Sequence, residues 1–88
     1  MKAKLQVLIN LGECVLETET HVSDAAGLAH VSTVTGPKCD EWKEKCKIFF
    51  KSYNGGELSE GYKLANIEIM RKSQAKHLLQ ILKDLRGA

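Results

Sequence analysis

The stretch Cys39-Asp40-Glu41-Trp42-Lys43-Glu44-Lys45-Cys46-Lys47-Ile48-Phe49-Phe50-Lys51-Ser52-Tyr53 holds the chain's tryptophan, both phenylalanines and one of its two tyrosines. Trp42, Cys46, Phe49, Phe50 and Tyr53 recur at steps of four, three, one and three, with lysines and Glu44 between them. That spacing puts the rings on one side of a helix running from Cys39 or Asp40 to about Tyr53. Asp40 and Glu41 suit the positive end of its dipole and Lys51 the negative end. A rival reading extends Lys47–Tyr53 as a strand, with a hairpin turn at Asn54–Gly55. The helix is preferred because only a helix brings the adjacent Phe49 and Phe50 both near Trp42.

Downstream, Asn54-Gly55-Gly56 ends the helix and the polar run Glu57–Gly61 reads as loop. From Tyr62 to about Arg71 the side chains alternate, as in a strand that has both faces partly covered or sits centrally in the sheet. Ser73 then offers a cap, and Ala75, Leu78, Leu79, Leu82 and Leu85 mark an apolar face, with Ile81 on its flank and Gly87 as the stop.

Upstream, Leu5, Val7, Ile9 and Leu11 alternate with Lys4, Gln6, Leu8 and Asn10, the period of a half-buried strand. A second alternation follows from Glu13 to His21, with Glu13, Glu17 and Glu19 on an acidic outer face. The two strands predict a hairpin turning at Asn10–Glu13, with Gly12 in the turn. Ser23 to Thr33 reads either as a short helix or as an irregular segment leading into a strand at Leu28–Thr35, and both stay open. Gly36–Pro37 ends whichever element precedes it.

These elements predict a single α+β domain spanning residues 1–88. Its order is β-β-(α)-α-β-α, a small, mainly antiparallel three-stranded sheet with two amphipathic helices packed on one face. With 88 residues, 43% of them hydrophobic and only one Pro, the chain is too apolar for disorder and too short for a second core. No apolar run approaches the roughly 20 residues that span a bilayer. The Met1–Leu11 segment has too many polar interruptions for a secretory signal. Three cysteines with no close pair argue against a secreted disulfide framework. A cytoplasmic protein with no membrane partner is expected.

Candidate chemistry is sparse. Cys14, His21, His30, Cys39, Cys46 and His77 are the soft metal-ligand candidates, but their spacings are wider than those of zinc-ligand pairs. No metal or other cofactor is therefore expected. Cys46 lies between Lys45 and Lys47, which would favour a thiolate, yet its register with Trp42 and Phe49 turns it inward. No GxSxG or HExxH motif occurs. The length, a histidine ahead of Ser23 and the leucine-rich closing helix resemble the histidine-containing phosphocarrier proteins. The segment Glu19-Thr20-His21-Val22-Ser23-Asp24 lacks the arginine of their Gly-Ile-His-Ala-Arg-Pro motif, so that family's function is not carried over.

Charge is unevenly placed. Residues 1–37 carry −2 and residues 38–88 carry +4, for a net +2. Lys43, Lys47, Lys51, Arg71, Lys72, Lys76 and Lys83 are candidate phosphate contacts if the two helices present one basic face to nucleic acid. Lys45 lies well round the cylinder from Lys43 and Lys47, and Glu41 and Glu44 dilute the set. The favoured expectation is a small, non-enzymatic protein–protein interaction or regulatory module, with self-association as one branch. Its contact residues would be Trp42, Ile48, Phe49, Phe50, Tyr53 and Ile81, because a core this small need not cover them all.

Overall fold

The computed structural model describes residues 2–23, 31–53 and 56–87. Helix α1 (Lys2–Thr18) opens the chain and leads into strand β1 (Thr20–Ser23), followed by strand β2 (Val31–Val34). Helix α2 (Pro37–Lys51), a 3-10 turn (Gly56–Leu58), helix α3 (Glu60–Ala65), the two-residue strand β3 (Met70–Arg71) and helix α4 (Lys72–Gly87) complete it. The class is α+β with an antiparallel three-stranded sheet of order β1-β2-β3. The element order is α-β-β-α-α-β-α, in place of the expected β-β-(α)-α-β-α.

The largest correction is at the start. Lys2–Thr18 is one helix, not a hairpin. Leu5, Leu8, Ile9, Gly12 and Val15 are buried, whereas Lys4, Val7, Asn10, Glu13 and Glu17 are exposed. Those intervals are 3.6-fold, not two-fold. Lys, Ala, Leu, Gln and Glu dominate the segment, and all favour helix. Gly12 is therefore no turn. It lies buried within α1 against the Trp42 indole, and a Cβ there would stand 2.6 Å from the ring carbon Cζ2. The residue that suggested a break is the one that lets α2 approach α1.

The expected strand Tyr62–Arg71 also gives way to helix over most of its length. Ser59 accepts a hydrogen bond from the Tyr62 amide (3.2 Å), which caps α3. Gly61, Leu64 and Ala65 then face inward together. Only Met70 and Arg71 remain extended, pairing with Val34 and Thr33 of β2. The expected loop Glu57–Gly61 is divided between the 3-10 turn and the first residues of α3.

Strands β1 and β2 pair with Thr20 opposite Val34 and Ser23 opposite Val31. The strand alternative over Leu28–Thr35 thus holds at Val31–Val34, and of the span of the helix alternative the described residues Ser23, Val31, Ser32 and Thr33 are extended. Residues 24–30 lie outside the described residues. Val34 and Met70 enter the core, where α4 packs on β2 and β3.

The two helices foreseen in the second half are present close to their expected limits. α2 begins at Pro37, whose missing N–H costs nothing at the first helical position. The amides that follow it are capped from a distance. The Glu19 carboxylate, just beyond α1, accepts from the Lys38 amide (3.2 Å) and the Cys39 amide, and the Glu19 carbonyl accepts from the Thr35 amide (3.0 Å). Glu19, expected on a solvent-facing strand, thus links the end of α1, the sheet and the start of α2. Gly36 supplies the turn into the helix with φ +147°, and a Cβ there would collide with the same carboxylate.

Candidate functional site

α2 is the central helix for the site because it sends its rings in two directions. Trp42, Cys46 and Phe50 are buried. Trp42 rests on Gly12 of α1, and the Phe50 ring rests on Gly61 of α3, where any Cβ would intrude into it. Trp42 Nε1 is buried without a hydrogen-bond partner among the described residues, so the indole serves here as packing volume. Both rings lie in the core, not on the surface where the sequence expectation put them.

Phe49 and Tyr53 are half-buried and stack with ring centroids 5.3 Å apart and planes 20° apart. Phe49 also meets Phe50 edge-on at 5.2 Å, so the outer pair leans on a fixed inner ring. Ile48, one residue round the helix, is 63% exposed. Opposite it on α1, Val7 is 54% exposed. Between the two helices runs a groove of ≈ 420 Å³, lined by Ala3, Lys4, Val7 and Leu8 from α1, by Lys45, Ile48 and Phe49 from α2 and by its C-cap Ser52. Its walls are mainly apolar, and among the described residues its charged lining side chains are the two lysines.

Two of the six expected contact residues, Ile48 and Phe49, therefore come together in the groove. Tyr53 supports Phe49 from just beyond α2. Ile81 sits half-buried on α4 against the core and does not line the groove. The α1 wall was missed because a strand reading divides Ala3, Lys4, Val7 and Leu8 between two faces. The spacing i, i+1, i+4, i+5 was the available helical signal.

Two of the candidate phosphate contacts, Lys43 and Lys47, are engaged within the protein. Lys43 Nζ donates to the carbonyls of Ile67 (3.2 Å) and Glu68 (3.1 Å), closing the segment after α3. Lys47 pairs with Glu44 at 3.0 Å. Lys51, Arg71 and Lys76 are exposed, and Lys72 and Lys83 are half-buried. α2 and α4 both pack on α1 and α3, so the lysines of α2 and those of α4 sit on helices joined through intermediaries.

Burial governs the thiols. Cys46 is enclosed and its thiol is pushed up to about 12 by desolvation. Cys39 is also raised, chiefly by burial, with Asp40 and Glu19 adding to the shift and Lys43 opposing it. Its Sγ lies 3.5 Å from the Val34 carbonyl. Both are neutral packing groups at ordinary pH. Cys14 is half-exposed on α1, with Lys38 Nζ 3.5 Å from its sulfur. Among the described residues no three His, Cys, Asp or Glu side chains gather as metal ligands, and His30 lies outside them. No described helix is long and apolar enough to cross a membrane.

Comparison of the chain with protein-family models, curated proteins and solved structures finds no match.

Proposed function

We propose that this chain is a small cytoplasmic protein–protein interaction module that acts by docking a partner in the groove between α1 and α2. The observation that carries the reading is the exposure of Val7 and Ile48 on either side of Phe49. Burying a large aliphatic side chain completely gains about 1.5–3 kcal/mol. Each of these residues realises only part of that gain in the free chain, so covering both would favour a complex. The aromatic base is prearranged, since Phe49 is held by Tyr53 and Phe50 and loses little freedom when covered. A cytoplasmic setting accords with three free thiols, two of them buried.

Ile48→Gln removes the apolar anchor while keeping a good helix former at an exposed position, so the fold should be unaffected. Affinity capture from the native source, run in parallel with wild type and this variant, tests the reading. A protein retained by wild type and lost by Ile48→Gln supports it. Identical captured sets from two equally folded baits would overturn it.

A further inference from the structure

Resting on the docking role just given to the groove, we infer that its occupant is the apolar face of an acidic amphipathic helix from another protein, with its carboxylates meeting Lys4 and Lys45. The groove is a valley between two helices, the shape that receives a third helix through anchors at i, i+3, i+4 and i+7. On the α2 side its lining residues run from Lys45 to the C-cap Ser52, about 10 Å of helix rise and so about two turns of an incoming helix. That length suits four anchors.

Charge then selects among occupants. Among the described residues Lys4 and Lys45 are the charged ones lining the groove, and no described carboxylate lines it. Lys4 is exposed on α1 and Lys45 on α2, so each can flank an entering helix without leaving its own. A second copy of this chain, related by a two-fold axis and using this face on both sides, would bring lysines toward lysines. Among the described residues a nucleic acid would find two lining cations, set beside Val7, Ile48 and Phe49, which offer a phosphate nothing. Glutamates bordering a leucine face satisfy the apolar surface and both charges together.

The test uses fluorescein-labelled 16-residue helical peptides with Leu at i, i+3, i+4 and i+7. One carries Glu at its flanking positions and the other Lys, and both are titrated with the full chain by anisotropy. At low salt the Glu peptide should bind roughly tenfold more tightly than the Lys peptide, and the gap should narrow as salt screens the pairs. The Lys4→Glu/Lys45→Glu variant should reverse the order, an outcome that a purely structural role for these lysines would not give. Ile48→Gln should weaken both peptides by roughly fivefold or more. Equal binding of the two peptides, still sensitive to Ile48→Gln, would refute the acidic partner and leave the groove as a docking site. Binding insensitive to Ile48→Gln would refute the groove itself. A dimer in sedimentation that Ile48→Gln dissolves, or tight oligonucleotide binding that the double reversal abolishes, would overturn the inference in favour of self-association or nucleic acid.

Discussion

Gly12→Ala separates two opposed effects at a single atom. In an exposed helix interior, alanine is about 1 kcal/mol more favourable than glycine, so α1 considered alone should gain. Packing predicts the reverse. The new Cβ would lie 2.6 Å from Trp42 Cζ2 and 2.7 Å from Cε2, where carbon atoms ordinarily rest about 3.5–4.0 Å apart. Either α1 or the indole must therefore move by about 1 Å. Trp42 has no exposed surface and no open side to retreat into, so the upper half of the usual 1–3 kcal/mol overpacking cost applies. The net expectation is a loss of about 1–2 kcal/mol, or a fall in Tm of roughly 4–16 °C for a domain of this size.

Thermal and urea unfolding, followed by circular dichroism and by the fluorescence of Trp42, measures this directly. Gly87→Ala is the matched control, because nothing lies within 4 Å of a Cβ at that position, and it should change stability by no more than about 0.5 kcal/mol. Trp42→Phe supplies the second arm. It costs stability by leaving a gap, but in that background the additional penalty of Gly12→Ala should shrink by about 0.5 kcal/mol or more, a coupling expected only between residues in contact. A Gly12→Ala protein as stable as wild type, or more so, would refute the seating of the indole on α1. So would strict additivity with Trp42→Phe.

Glu19→Ala removes the carboxylate that caps α2 and should cost about 1–2 kcal/mol in urea unfolding, whereas Glu19→Gln, which keeps one acceptor oxygen, should cost less. Equal losses from the two variants would place the effect elsewhere than in the cap. Cys46 stays protonated in the fold up to about 12 but ionises near 9.0 once unfolded. Its contribution is therefore complete below pH 9 and declines by about 1.4 kcal/mol per pH unit above it, because the unfolded chain then holds fewer protons. Urea midpoints at pH 8, 9 and 10 should fall more steeply for wild type than for Cys46→Ala, and parallel slopes would contradict this assignment. A thiol reagent at pH 8 should modify Cys14 readily and reach Cys39 and Cys46 only at the rate of unfolding; rapid labelling of all three would refute their enclosure.

How far the molecule was legible follows from where each signal resides. α2 and α4 could be found because their apolar stripes are long, and over their full length the helical period fits better than a two-fold one. In α1 the apolar run Leu5, Val7, Leu8, Ile9, Leu11 satisfies both two-fold and 3.6-fold spacing, so the local pattern carries no decision. Tertiary contact decides it, through a groove at Gly12 that the Trp42 indole fills. The same dependence explains the rings. Counting aromatics on α2 suggested a surplus, but a surplus is defined only against the sockets available, and Gly12 and Gly61 each provide one from another helix. Once those two sockets are filled, what remains on α2 is Ile48 and Phe49, and what faces them depends on α1 being a helix. The groove is thus a consequence of the residue misjudged most. Without a Cβ at position 12, α1 comes close enough to α2 to bury Trp42, and the same pairing sets Val7 opposite Ile48 with an open apolar valley between them.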